Sequence, residues 1–404
     1  MRIVLVGTAY PMRGGIAHYI ALLVRTFERR GRHVSVLSFR RQYPSFLFPG
    51  KTQKDAGTEL IPVQTHPILD SINPVSWIRA FLWLKKEKPD AVVFKYWMPF
   101  FAPCYAALAS GLAALRRPAV IFLCDNVIPH EKKFMDVWLT RLALRFPDAF
   151  IVQSETVRSE LLSFRPACRH RLVPHPVYEI FPRAVPKSVA RSRLGIKDRR
   201  VILFFGYIRA YKGLDTLLEA LPEILKRMPV RLVVCGEFYE GRIETLNLIG
   251  RLGIEDAVTL NDRFIPNEEV GDYFCAADLA VLPYLSASQS GIVQIAYYYD
   301  RPVVATTVGG LPETVRDGRT GYLVPPGDPG ALAGAVLRFF EEKRSGYFGK
   351  NIRGEKKKYS WDRMAEAVEE LAEGVHAPDS SQKPESGSET HSKSGHSKLE
   401  TRNS

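Results

Sequence analysis

Short continuous apolar runs recur along the chain, each followed by a Gly-, Ser- or Pro-containing turn and then by apolar residues at helical spacing. In the first half they are Ile3–Val6, Val34–Leu37, Asp90–Phe94, Ala119–Leu123, Ala149–Ser154 and Arg171–Pro176. In the second half they are Val201–Gly206, Leu232–Glu237, Val258–Leu260, Asp278–Leu282 and Val303–Ala305. Runs this short and this apolar predict strands buried on both faces, as in parallel sheets covered by helices. The two series are separated by residues 182–200, rich in Pro, Lys, Arg and Ser, a composition suited to a linker. The pattern therefore predicts two doubly wound α/β domains, residues 1–181 and 201–358, facing across a cleft. Trp361, Met364, Val368 and Leu371 share one face of a last helix, placed at 359–376, and the polar residues 377–404 read as a disordered tail.

Two stretches admit a second reading. Residues 98–115 carry no charge and read as a crossover helix packed on the sheet, or as a helix facing a membrane. Trp77, Phe81 and Trp83 beside Lys85 and Lys86 fit an amphipathic surface helix and equally a core-facing one.

At 404 residues and 46% hydrophobic content the chain can fill two cores. A formal charge of +13 suits anionic partners, namely nucleotide phosphates or a lipid surface. Nucleic acid is not expected, because no helix-turn-helix or RNA-binding signature accompanies the charge. The five scattered cysteines lack metal-ligand spacing and predict a reducing, cytoplasmic setting. The apolar run after Arg2 is too short for a secretion signal.

Candidate chemistry gathers where strands end. Arg209 and Lys212 follow the strand closing at Gly206, where two cations can hold a diphosphate. Gly14 and Gly15 open the first helix, where backbone can approach a ligand closely. Downstream, Ser288, Gln289, Ser290 and Gly291 open one helix and Gly309 and Gly310 precede another, so two helix N-termini are expected side by side at an anion-attracting edge. Asp125 follows a strand, with Asn126 and His130 beyond it; such an Asp caps a turn, or orients an acceptor hydroxyl or takes its proton. His175 stands rigidly between prolines, a placement that suits a structural histidine.

The spacing of Pro283, Arg301-Pro302-Val303-Val304 and Gly309-Gly310-Leu311-Pro312-Glu313 resembles the donor-binding core of the group 1 (family four) GT-B glycosyltransferases. The likeness extends from residue 1 to about 374 and implies two Rossmann-like domains of GT-B type. It implies transfer of a sugar from a nucleotide-diphospho-sugar to an acceptor hydroxyl, with retention at the anomeric carbon, no bound metal and no cofactor besides that co-substrate. It further implies Lys212 as phosphate ligand, Asn261–Glu268 as the loop around the base, Glu313 on the donor, and Gly14, Gly15 and Gly206 beside it. The acceptor would be a sugar or lipid-linked molecule in polysaccharide or glycolipid assembly, met at the inner face of the membrane.

The chain departs from the family at three points. The arginine after Gly206 is Tyr207, so Arg209 is the substitute cation. A histidine often preceding Asn126 is Asp125. The paired glutamates that contact donor sugar and ribose fall on Ala287 and Ile295, and Ser288-Gln289-Ser290-Gly291 stands as their replacement. That loss keeps open a binding protein without catalysis, and a GT-B nucleotide-sugar epimerase is a further alternative.

Overall fold

The computed structural model describes residues 1–44, 48, 52–55, 59–115, 118–129 and 134–376. The 377–404 tail and His130 lie outside the described residues. The first domain runs β1 (Arg2–Val6), α1 (Gly15–Arg29), β2 (His33–Arg41), β3 (Thr65–Asp70), α2 (Pro74–Glu87), β4 (Ala91–Tyr96), α3 (Ala102–Ala114), β5 (Ala119–Cys124), α4 (Asp136–Ala143), β6 (Ala149–Val152), α5 (Glu155–Phe164) and β7 (Arg169–Leu172). Its strands pair in parallel in the order β3-β2-β1-β4-β5-β6-β7. Alternation of side chains along each strand sends Ile3 and Leu5 to one core and Val4 and Val6 to the other.

The segment 182–200 is not a plain linker. It contains α6 (Lys187–Arg193), and the Asp278 carboxylate accepts from Lys187, from Arg191 at 2.7 Å and from the Val201 N–H at 2.8 Å. One buried carboxylate thus ties the crossing segment to the first strand of the second domain. That domain runs β8 (Val201–Phe205), α7 (Leu214–Arg227), β9 (Arg231–Cys235), α8 (Arg242–Leu252), β10 (Val258–Asn261), α9 (Asn267–Ala276), β11 (Leu279–Leu282), α10 (Gly291–Tyr298), β12 (Val303–Thr306), α11 (Leu311–Thr314), β13 (Gly321–Val324), α12 (Pro329–Glu341) and α13 (Ser345–Glu355). Its parallel sheet has the order β10-β9-β8-β11-β12-β13.

The last helix, α14 (Trp361–His376), returns to the first domain. Trp361 donates its indole N–H to the Val177 carbonyl at 2.8 Å and packs edge-on against Tyr19, while Met364, Val368 and Leu371 are buried. At about 1.5–3 kcal/mol per buried side chain, this apolar face outweighs the rim ion pairs Arg29–Asp362 and Arg30–Glu366. Residues 98–115 form a 3₁₀ turn and α3, buried against the sheet through Tyr105, Leu108 and Leu112. Among the described residues no helix is long and apolar enough to cross a membrane. Two sequence expectations are corrected here. Val173 to Pro176 leave the last strand of the first sheet, which closes at Leu172, and Gly309-Gly310 leads into a helix of only four residues, too short to act as an anion-binding N-terminus.

Candidate active site

The carboxyl ends of both sheets face one cleft of about 780 Å³. On the first-domain side, β4, β5 and β6 are neighbours in register, which sets Lys95, Asp125 and Gln153 beside one another at the sheet edge. Oδ1 of Asp125 accepts from Lys95 Nζ at 2.5 Å, Gln153 Nε2 at 2.9 Å and Gln289 Nε2 at 3.1 Å. Its Oδ2 receives no donor from the described residues. Lys95 is 1% exposed, and its ammonium lies 3.5 Å from the centre of the Tyr19 ring. Burial lowers the Lys95 pKa against the pull of Asp125. His175, buried with Nδ1–H donating to the Pro176 carbonyl at 2.7 Å, is pushed down to about 4 by burial and by Lys95, so it is neutral at pH 7.

On the second-domain side, Gly206 has φ +108°, and a Cβ added there would stand 2.9 Å from Lys212 Nζ. The glycine lets β8 turn directly over the lysine. Lys212 is 8% exposed and has no carboxylate within ion-pairing distance among the described residues. Burial, reinforced by Arg209, pushes its pKa down to about 8. Arg209 lines the same cleft, with its guanidinium 5.9 and 6.0 Å from the Tyr211 and Tyr239 ring centres.

The Ser288–Gly291 turn bridges the two sides. Ser288 Oγ donates to Asn126 Oδ1, Gln289 donates to Asp125 as above, and Ser290 caps α10 by accepting from Ile292 N–H at 3.2 Å. Gly291 sits against the Tyr178 ring. Gly14, Gly15, Asn126 and this whole turn line the cleft.

Three expected donor residues do not line it. Gly310 N–H donates to the Ser288 carbonyl at 3.0 Å, and Gly309, at φ +50°, packs so closely on the Ala287 carbonyl that a Cβ would overlap it. These glycines brace the bridging turn from behind. The Glu313 carboxylate accepts from the Glu155 N–H at 3.0 and 3.1 Å, capping α5 of the first domain. Partial burial there raises its pKa. α11 thus points this carboxylate across the domain junction, where it complements the N-terminal dipole of α5.

Sequence reasoning passed over four residues. Lys95 is the one charge in an otherwise apolar strand, which runs on past Phe94 to Tyr96. Gln153 stands just past the end of β6, which closes at Val152. Arg13 and Glu237 form an ion pair of 2.6 Å across the cleft with side chains 5% and 1% exposed, and Arg13 lies over Tyr207 and Phe264. No spacing rule links residues so far apart in sequence.

Two Rossmann-like domains closed on a cationic cleft define the GT-B architecture. Residues 199–342 match the family described as glycosyl transferases group 1, and residues 14–177 match the glycosyl transferase 4-like domain. Together these matches take in most of the chain, which belongs to the group 1 glycosyl transferases. The chain is 27% identical over 393 residues to a D-inositol 3-phosphate glycosyltransferase of Acidothermus cellulolyticus, covering 88% of this chain and 84% of that one. It is 36% identical over 199 residues to D-inositol 3-phosphate glycosyltransferase 2 of Catenulispora acidiphila, covering 46% of each. The chain spans about half the length of several such relatives. In fold it resembles Anabaena HepE in complex with UDP, at TM-score 0.68 and 18% identity over 93% of this chain and 100% of that one.

Proposed function

We propose that this protein is an active glycosyltransferase that moves a sugar from a nucleotide-diphospho-sugar to an acceptor hydroxyl, retaining anomeric configuration and using no bound metal. The observation that carries this reading is the pairing, in one cleft, of a buried cation, Lys212, with an Asp125 carboxylate oxygen, the first without a counter-ion and the second without a donor among the described residues. Lys212 and Arg209 would stabilise the departing diphosphate electrostatically, and Asp125 would orient a hydroxyl of the bound sugars. The UDP held by HepE supports a nucleotide donor. Retention and metal independence rest on the family resemblance.

Ala287 and Ile295, apolar where the family carries glutamates, favour the second reading of a nucleotide-sugar-binding protein without catalysis. The bridging turn argues against it, since Gln289 completes the donor set around Asp125. A thermal-shift screen of nucleotide-sugars identifies the donor. Gln289→Ala is then expected to slow transfer about tenfold, because the loss removes one hydrogen bond to a carboxylate. Gln289→Ala and Ser290→Ala variants that both keep the parent rate while folded would show that this turn does not replace the glutamates.

The acceptor is proposed to be presented at a membrane surface. The rings expected to face lipid do not: Trp77, Phe81 and Trp83 pack on the first-domain core, with Trp77 donating to the Asp70 carbonyl at 2.8 Å. The exposed stripe of α2 is instead Val75, Ile78 and Leu82, with exposed Lys85, Lys86 and Lys88 at its C-terminal end. Trp138 on α4 is exposed as well. Apolar residues beside lysines suit an anionic interface. The protein is expected to float with anionic liposomes at low salt, and Ile78→Glu/Leu82→Glu to stay at the bottom. A parent protein that fails to float contradicts the proposal.

A further inference from the structure

The two sides of Lys212 differ in chemistry. Toward the first domain lie Asp125, Asn126 and Gln289, a polar surface for sugar hydroxyls. Along α10 the wall is apolar. Ile292 Cδ1 lies 3.3 Å from the position a Gly206 Cβ would take, and Ile295, one turn further and 6% exposed, lines the same cleft. Ile265 and Val270, 5% and 3% exposed, continue that wall. At its margin Glu237 is ion-paired with Arg13 through one oxygen, Asn267 Nδ2 donates to Asp55 Oδ2 at 3.2 Å, and His18 packs edge-on against Phe181.

We infer that, among the described residues, no side chain of the nucleoside half of the donor site reads the ribose 2′-hydroxyl, and that Ile295 makes it accept a 2′-deoxyribonucleoside diphosphate at least as tightly as the ribo form. This rests on the donor-binding reading above. A diphosphate held at Lys212 with its sugar on the polar side leaves the pentose, which is bonded directly to it, against Ile292 and Ile295. A hydroxyl placed there gives up water and gains no side-chain acceptor. An apolar pocket rejects an added hydroxyl only modestly, by up to ~100-fold, whereas a site built to bond that hydroxyl rejects its absence by far more. The ribo-to-deoxy ratio therefore reports which kind of site is present.

The test is titration calorimetry of the full chain with adenosine, guanosine, cytidine and uridine diphosphates, each in ribo and 2′-deoxy form. For the base that binds best, the deoxy form is expected to bind equally or up to ~100-fold more tightly. A ribo form more than threefold tighter overturns the inference while leaving the donor-binding reading intact. Binding of none of the eight overturns both. Ile295→Glu is expected to move the ratio at least fivefold toward the ribo form, and Ile295→Gln in the same direction without adding charge. If both fold and neither moves the ratio, Ile295 is not the determinant. The wild-type ratio decides the main point whether or not a variant folds.

Discussion

Lys212→Met is expected to raise the melting temperature of the unliganded protein by a few degrees while weakening nucleoside diphosphate binding at least ~tenfold. A lysine pushed from its ordinary 10.5 to about 8 by burial and by Arg209 costs the folded state on the order of 3 kcal/mol at neutral pH. Methionine fills a similar volume without the charge. The sign follows from the lowered pKa: the unfolded chain holds the Lys212 proton more tightly, so the cost is fully present below pH 8. It fades as pH rises toward 10.5, and the melting advantage of the variant should narrow over that window. Binding runs the opposite way. An anion favours the charged lysine, so the parent's affinity should decline as pH climbs above about 8, and the variant should lack that decline. Equal affinities in titration calorimetry would remove Lys212 from the diphosphate site.

Asp125→Leu should both destabilise the fold by roughly 3–5 kcal/mol and cut sugar transfer at least ~100-fold, because it strands the Lys95 ammonium without its counter-ion. A structural role and a chemical one are separable here. The double variant Lys95→Met/Asp125→Leu replaces the pair with apolar groups of similar size, and such replacement restores stability in buried pairs. Denaturant melts should show recovery, while transfer stays at the level of the single variant. A double variant that regains activity would make Asp125 a packing residue and remove the main support for catalysis at this site.

The arrangement of the two α/β halves was legible because each buried parallel strand reads as an unbroken apolar run, bounded by turn residues, whatever its neighbours in space. The cations after β8 and the acid after β5 were legible for the same reason: a polar group just past a strand end stands at the sheet edge. Tertiary structure alone decided what each of these faces. It turned Glu313 away to cap α5 and set Gly309 and Gly310 behind the bridging turn. It also turned Trp77 and Phe81 inward on an amphipathic helix whose two faces, one aromatic and one aliphatic, look equally apolar in sequence. The contacts that close the cleft, Arg13 with Glu237 and Asp125 with Gln289, join residues from different domains. Local hydrophobic periodicity reports which residues leave water. It does not report which buried charge meets which, because that is set by how two sheets are brought together rather than by any interval along the chain.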